Sequence, residues 1–599
     1  MIRQFSIRSL AKLEGGKRFM KTHRCFFFSF FALALFFLSP SVFAGHGAGS
    51  GPPKAVIEGG ETINISGIVL DSHKEPINEA AVKIMVNGKE MDHVVTAHNG
   101  KYVARFQMEK GEIQKATIEI TADKASFKAV TYAVQGKDLA QQGDHFYISE
   151  DMSLDRHLGP AFWISTVVFI LAYVLIAFEL LHRTVAAMLG AIVMLVISYT
   201  IGTINPEYHI FSFESAIFSI DMNVVFLLMG MMIIVGVLKH TGVFQWCAYV
   251  SYKLAKGKVF VLVVYLMVFT AVASAFLDNV TTMLLLTGVA IEISISLGIN
   301  PLHMLIPLVL ASNVGGTATL IGDPPNIMIG SYAGLTFMDF VVALAALCGV
   351  CMVALIIFTK FVWGKGYAAA KVDNVQEYIQ VLKEKYQITD PRLLTYGLAV
   401  LGFVIFLFLS HGYWHMEVSV AALLGGAVLL TIAMITEKVD LIELIEKDIE
   451  WPTLMFFIFL FIMVGAVETS GLLAVVADWI LALSAGDFVI ACSLILWVAA
   501  IMSAFVDNIP FTATMLPIVA YLSSVIPGAE NTLWWALALG ACFGGNGTII
   551  GASANVVTMG IAESRGYKIS FIGFMKTAFP FMIITIIIAH AWLLFFRPQ

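Results

Sequence analysis

The chain has 599 residues, 59% hydrophobic and only 13% charged, and so is more apolar than an ordinary soluble globular protein, whose apolar share is nearer one half. A formal net charge of −6 is small for this length, and Lys and Arg are scattered singly, which excludes the basic patch that nucleic-acid binding requires. Most of the chain must face lipid.

The N-terminus reads as an export signal over residues 1–44. Basic Lys17, Arg18, Lys21 and Arg24 precede an apolar stretch from Cys25 to Leu38, and small Val42 and Ala44 stand before Gly45. Cleavage is expected after Ala44. The basic lead counted from Met1 is long, which makes Met20 an alternative start, and an uncleaved anchor is the rival reading. In either case residue 45 begins on the extracytoplasmic side.

Residues 45–157 change character. Alternating stretches at Thr62–Leu70, Ala81–Val86 and Lys101–Phe106 are punctuated by Asn87-Gly88 and Asn99-Gly100, the pattern of a small extracytoplasmic β-sandwich. Cys25 lies in the signal and the other five cysteines fall in apolar segments further on, so this module has no disulfide framework. The stretch from Ile65-Ser-Gly-Ile-Val-Leu-Asp71 through Pro76 and Ala80-Ala-Val82 to Asn99-Gly-Lys-Tyr-Val103 resembles transthyretin-like, carboxypeptidase-regulatory-like modules. That resemblance implies a binding or spacing role.

From Pro160 on, apolar stretches of spanning length recur. Spans are expected at 161–181, 184–204, 222–239, 303–331, 340–362, 394–411, 416–436, 452–470, 533–562 and 574–596. Two further apolar stretches, 259–297 and 487–520, are interrupted midway by polar residues and read as re-entrant hairpins. The membrane part divides into a first repeat (158–363), a polar, helix-prone cytoplasmic linker (364–393) and a second repeat (394–599). Basic residues test this topology, because they are retained on the cytoplasmic side during insertion. The connections at 205–220, 332–339, 412–415, 471–486 and 521–531 contain no Lys or Arg, while Arg183, Lys239, Lys253 to Lys258, Lys360 to Arg392, Lys438, Lys447 and Arg565 to Lys576 fall on the other side. Counting either hairpin as one full crossing would destroy that separation.

An internal repeat underlies the pattern. Ser274-Ala-Phe-Leu-Asp-Asn279 recurs as Ser503-Ala-Phe-Val-Asp-Asn508, an offset of 229 residues. At that offset Gly315-Gly316 meets Gly544-Gly545, Thr319 meets Thr548, Ile321-Gly322 meets Ile550-Gly551, Asn326 meets Asn555, and Ile220-Asp221 meets Ile449-Glu450. Five crossings per half, an odd number, set the second half upside down relative to the first, the inverted-repeat plan of secondary transporters.

Each half thus carries an Asp-Asn at a hairpin tip and a Gly-Gly-x-x-Thr-x-Ile-Gly-x-x-x-Asn stretch inside an otherwise apolar span. A carboxylate in a bilayer costs about 3 kcal/mol even on the lenient insertion scale, and irregular backbone survives at that depth only where it lines protein or water. Broken helices aim half-helix dipoles at the gap, and Asn and Thr add neutral oxygens, which suits a dehydrated ion. Competing roles exist. Asp278 and Asp507 are well placed to cap the second hairpin arms, and Asp323, whose repeat position is Ala552, is either a substrate contact or a cap. Asp221, Glu450, Glu179 and Arg183 read as anchors at span ends, the last two as an i,i+4 pair. Cys348-Gly-Val-Cys351 sits in a continuous apolar run and reads as packing.

At Ser274–Thr282, Ala311–Asn326, Ser503–Pro510 and Gly544–Asn555 the sequence resembles the ArsB/NhaD permeases of the ion transporter superfamily, above all its P-protein-like, citrate-transporter-like branch. The resemblance covers about 160–599 and implies an elevator-type carrier, often a homodimer, in which hairpin tips and broken-helix loops hold Na⁺ and substrate. By position it assigns ion or substrate binding to Asp278, Asn279, Thr281 and Thr282 at the first tip and Asp507, Asn508 and Thr512 at the second. From the broken helices it assigns Asn313, Gly315, Gly316, Thr317, Thr319, Asp323 and Asn326, and Gly544, Gly545, Asn546, Thr548 and Asn555, with Na⁺ at Asp278 and Asp507. The superfamily's dicarboxylate carriers have Ser-Asn-Thr tips. Asp-Asn in both tips here repels a carboxylate substrate and departs from the arsenite pumps as well.

The expected function is therefore secondary transport of a small inorganic ion in the inner (plasma) membrane, a Na⁺/H⁺ antiport in which no cofactor beyond the coupling Na⁺ or H⁺ takes part. An arsenite or citrate-like anion permease is the alternative, and a sensor built on the outer module a remote one. No cluster with catalytic spacing points to an enzyme.

Overall fold

The computed structural model describes residues 60–596 apart from 73, 75, 179, 371–374, 437–438 and 530. The expected signal at 1–44, Met20 and Glu179 lie outside the described residues. The chain divides into two compact units, one holding the residues up to 124 with 128–155, the other 125–127 with 156–599.

The smaller unit is β-rich, with strands β1 (Glu61–Asp71), β2 (Ala81–Val86), β3 (Lys89–Val95), β4 (Lys101–Met108), β5 (Thr117–Asp123), β6 (Val130–Gln135), β7 (Ala140–Gln142), β8 (His145–Ser149) and β9 (Met152–Leu154). One sheet is ordered β4-β1-β8-β7, with β9 also on β1, and the other β3-β2-β5-β6. The period-2 alternation in the sequence sorts side chains between faces: Tyr102, Ala104 and Phe106 of β4 are buried while Lys101, Val103 and Arg105 are exposed. The β2–β3 hairpin turns on Asn87 and Gly88, both at positive φ (51° and 80°), as a two-residue turn with the strands' twist requires.

The larger unit is helical. Its first half holds α1 (Pro160–Ala177), α2 (Arg183–Tyr199), α3 (Met222–Lys239), α4 (Val243–Ala255), α5 (Val259–Phe276), α6 (Asn279–Ser296), α7 (Leu302–Gly316), α8 (Pro324–Ala333) and α9 (Ala346–Ala369). Its second half holds α10 (Pro391–Trp414), α11 (Val418–Ile435), α12 (Trp451–Ser470), α13 (Leu472–Ser484), α14 (Phe488–Phe505), α15 (Asn508–Val525), α16 (Thr532–Gly544), α17 (Ser553–Ser564) and α18 (Phe571–Phe596). The order of elements repeats, and α5 and α6 keep the 229-residue offset from α14 and α15 at both ends. Twelve described helices are long and apolar enough to cross a membrane, the four hairpin arms among them.

Two devices interrupt the helices. At the hairpin tips Leu277 (φ −124°, ψ 160°) and Val506 (φ −123°, ψ 136°) leave the helical region, and Asp278 and Asp507 restart it as N-caps. In the spans expected at 303–331 and 533–562 the helix stops after Gly316 and Gly544 and resumes at Pro324 and Ser553, Pro at N1 being pre-set for a helix start. Gly315 and Gly544 also permit close packing: a Cβ there would meet the carbonyl oxygens of Ala271 at 2.1 Å and Ala500 at 2.5 Å. These two contacts lock α5 against α7 and α14 against α16.

Some boundaries differ from the sequence reading. Helix α9 runs on past Gly364 and Gly366 to Ala369, into the segment expected as the helix-prone linker. Within it a helix, Val375–Lys385, leads to Lys385 and Tyr386, both of which donate to Glu292 of α6. Cys348 and Cys351 are buried in α9, and no group of three metal-ligating side chains occurs among the described residues.

Candidate functional site

The tips and breaks of both halves meet at one pocket. Asp278 and Asn279 come from the first tip, Asn508 and Ile509 from the second, Asp323 and Pro324 from the first break, and Ala552, Ser553 and Ala554 from the second. Leu228 and Met232 of α3, Arg183, Glu450 and Thr453 complete the wall. The free volume is ≈ 20 Å³, room for one water-sized body.

The first tip is held locally. Asp278 accepts from the backbone N–H of Thr281 at 2.9 Å and from the Thr281 hydroxyl, so it is indeed a cap, one that also faces the pocket. Asn279 Oδ1 accepts from Ser274 and, at 3.4 Å, from Ser312. Thr282 Oγ1 is buried with no hydrogen-bond partner among the described residues.

The second tip is arranged differently. Asp507 accepts from the Ile509 N–H at 3.3 Å, but its Oδ2 takes a charged hydrogen bond of 2.8 Å from Arg183 Nη1 and one of 3.3 Å from the Ser553 hydroxyl. Asn508 Nδ2 donates to Asp323 Oδ1 at 3.3 Å, joining the second tip to the first break. Thr512 donates to the Asn508 carbonyl at 2.7 Å.

Asp323, read from the sequence as either a substrate contact or a cap, is not engaged as a cap. It stands at the N-cap position of α8 yet makes no capping hydrogen bond; it is 2% exposed, faces the pocket, and its Oδ2 has no hydrogen-bond partner among the described residues. It is a pocket residue.

The remaining candidates build the breaks and stand behind the pocket wall. Thr319 and Thr548 donate to the carbonyls of Ala275 and Ala504 in the hairpin of their own half. Asn326 Nδ2 bonds the carbonyls of Thr317 (3.1 Å) and Thr319 (2.9 Å), and Asn555 Nδ2 those of Gly545 and Thr548 (both 2.8 Å). Thr317 donates to the Asn313 carbonyl at 2.7 Å, and Asn313 Nδ2 reaches Asn546 Oδ1 (3.0 Å) and Asn555 Oδ1 (3.2 Å), tying one break to the other. A Cβ on Gly316 would meet Asn279 Oδ1 at 2.4 Å and one on Gly545 the Gly551 carbonyl at 2.9 Å, so both glycines serve close packing.

The sequence reading missed Arg183, Glu450, Thr453 and Ser553. Arg183 and Glu450 were expected as span-end anchors, and Arg183 as the i,i+4 mate of Glu179. Arg183 opens α2, and its side chain reaches Asp507 at the tip of the second hairpin. Glu450 faces the pocket from the start of α12 and accepts from Thr453 at 3.1 Å. One signal existed for the site's asymmetry: Ala552 stands at the repeat position of Asp323.

A family model described as citrate transporter (CitMHS) matches residues 173–540. The chain belongs to the citrate transporter family. The match holds both hairpin tips and the first break and stops short of the second. An uncharacterized transporter of Mycobacterium tuberculosis is 41% identical over 437 residues, covering 72% of this chain and 98% of that protein. The human P protein is 35% identical over 509 residues, covering 72% of this chain and 59% of that protein. In fold, the YdaH transporter of Alcanivorax borkumensis is similar at a TM-score of 0.50 and 13% identity over 70% of this chain and 99% of its own. Within the citrate transporter family the chain is thus a multi-pass membrane transporter.

Proposed function

We propose that the protein is a cation-coupled secondary transporter exchanging Na⁺ for H⁺. The observation that carries this reading is the pocket itself: Asp278, Asp323 and Glu450 converge on ≈ 20 Å³. With three carboxylates against the one guanidinium of Arg183, the lining favours protons or a cation over an anion, although the three do not close round a single point as a metal-ion site does. Asp278 is the group that meets the travelling cation, with Asp507 as its counterpart in the other half. Na⁺ and H⁺ compete for the same oxygens, so a single site serves both and exchange follows.

The basic residues support halves of opposite orientation, with the β-rich unit outside and the pocket reached from the Arg183 side. A second reading draws on Arg183, since a guanidinium is the usual partner of a carboxylate ligand and would suit a citrate-like anion. Arg183 already holds Asp507 and Ser553, however. Vesicles carrying the purified protein and an internal pH dye separate the two. Internal alkalinisation driven by an inward Na⁺ or Li⁺ gradient would be absent, and citrate or arsenite uptake present, if the anion reading holds.

A further inference from the structure

We propose that Arg183 is a tethered counter-cation that competes with the transported cation for Asp507 and thereby sets the cation affinity of the site. This inference rests on the cation-coupled reading above.

The geometry divides Arg183 between two bodies. Its Nη2 donates to Thr453 Oγ1 at 3.2 Å, and its guanidinium lies 5.1 Å from the centre of the Phe456 ring, both on α12, against which α2 packs. Its Nη1 reaches away from that pair of helices to Asp507 Oδ2 at 2.8 Å and to Ser553 Oγ, on the second hairpin tip and the second break. The Asp507 side chain is 9% exposed and that of Arg183 21%, so water screens the pair little. With its charge matched in this way, Asp507 offers a travelling cation little until the guanidinium leaves. Glu450, on the same pocket wall, is a second carboxylate to which Arg183 can turn without entering lipid.

The repeat makes the arrangement one-sided. Val418 opens α11 where Arg183 opens α2, so the second half has no basic residue at that place, and Asp278, equivalent to Asp507, is bonded to Thr281 instead. The two tips are therefore electrically unequal: Asp278 is open to a cation at once, and Asp507 only by displacement of Arg183. An internal competitor of this kind keeps binding loose enough for release.

The test is the Na⁺ concentration giving half-maximal exchange, K0.5, in vesicles with wild-type protein, Arg183→Gln and Arg183→Lys. Losing a competitor worth about 1.4 kcal/mol lowers K0.5 about tenfold in Arg183→Gln. Arg183→Lys keeps the charge but loses the fork to Ser553 and Thr453, and its K0.5 falls by a smaller factor. A span-end anchor would lower the amount of inserted protein and the maximal flux, leaving K0.5 where it was. Wild-type K0.5 in the variants overturns the proposal while the cation-coupled reading stands, and if Arg183→Gln does not accumulate, Arg183→Lys alone decides. Absence of Na⁺-driven proton movement in the wild type overturns both.

Discussion

Replacing Asp278 by Asn separates an ion ligand from a helix cap. Asn Oδ1 can keep the 2.9 Å bond from the Thr281 N–H, and its amide can donate to the Thr281 hydroxyl, so the tip loses only the charge-assisted share of two hydrogen bonds, about 1 kcal/mol. For a chain of this size that lowers Tm by about 2 °C or less. The effect on a bound cation is larger. A unit charge about 4 Å away in a partly screened site contributes about 4 kcal/mol, so its removal costs roughly a thousandfold in affinity. Thermal unfolding in detergent and Na⁺-driven proton flux in vesicles are to be measured on the same preparation. The expected result is a folded, inserted protein whose flux is lost. Near wild-type flux with the small drop in Tm would refute the reasoning and leave Asp278 a cap.

Gly315→Ala forces a Cβ to within 2.1 Å of the Ala271 carbonyl, so little monodisperse protein is expected in detergent, whereas Gly349→Ala, with nothing within 4 Å, is expected to behave as wild type. Cysteines at Lys253 and Ala482, both exposed and separated by the repeat offset, are expected to react with an impermeant reagent from opposite sides of the membrane in a background lacking the native cysteines; reaction of both from one side would contradict inverted halves. Removal of residues 45–157, with a working signal kept ahead of Pro160, is expected to leave exchange intact, because the pocket lies wholly within the larger unit. Loss of flux in a correctly inserted truncation would assign the β-rich unit a direct part in transport.

The sequence made the broken helices and hairpin tips legible for a physical reason. Asp-Asn and paired glycines are costly in an apolar segment, and their return at one offset marks both halves with the same interruptions. Asp278, Asn279 and Asn508 could be placed at the pocket on that ground. The Arg183–Asp507 pair could not, because it joins residues 324 apart in sequence and Arg183 opens an apolar helix, where a basic residue is the ordinary membrane anchor. Nor could the sequence separate the two uses of Thr and Asn. Thr319 and Asn326 share chemistry with any ion ligand, yet their side chains are engaged in holding the backbone of the break. The more informative signal was the place where the repeat fails, Asp323 against Ala552, since a scaffold needs symmetry and a site with a direction does not.

The hydroxyls of Thr319 and Thr548 sew each hairpin to the broken helix of its own half. A hairpin fastened in this way is a poor lid. Lifting it would strand a buried hydroxyl and a carbonyl at about 1–3 kcal/mol each and would open the close seam at Gly315 or Gly544 as well. A movement that opens the pocket to either side is therefore expected to carry each hairpin together with the broken helix of its own half.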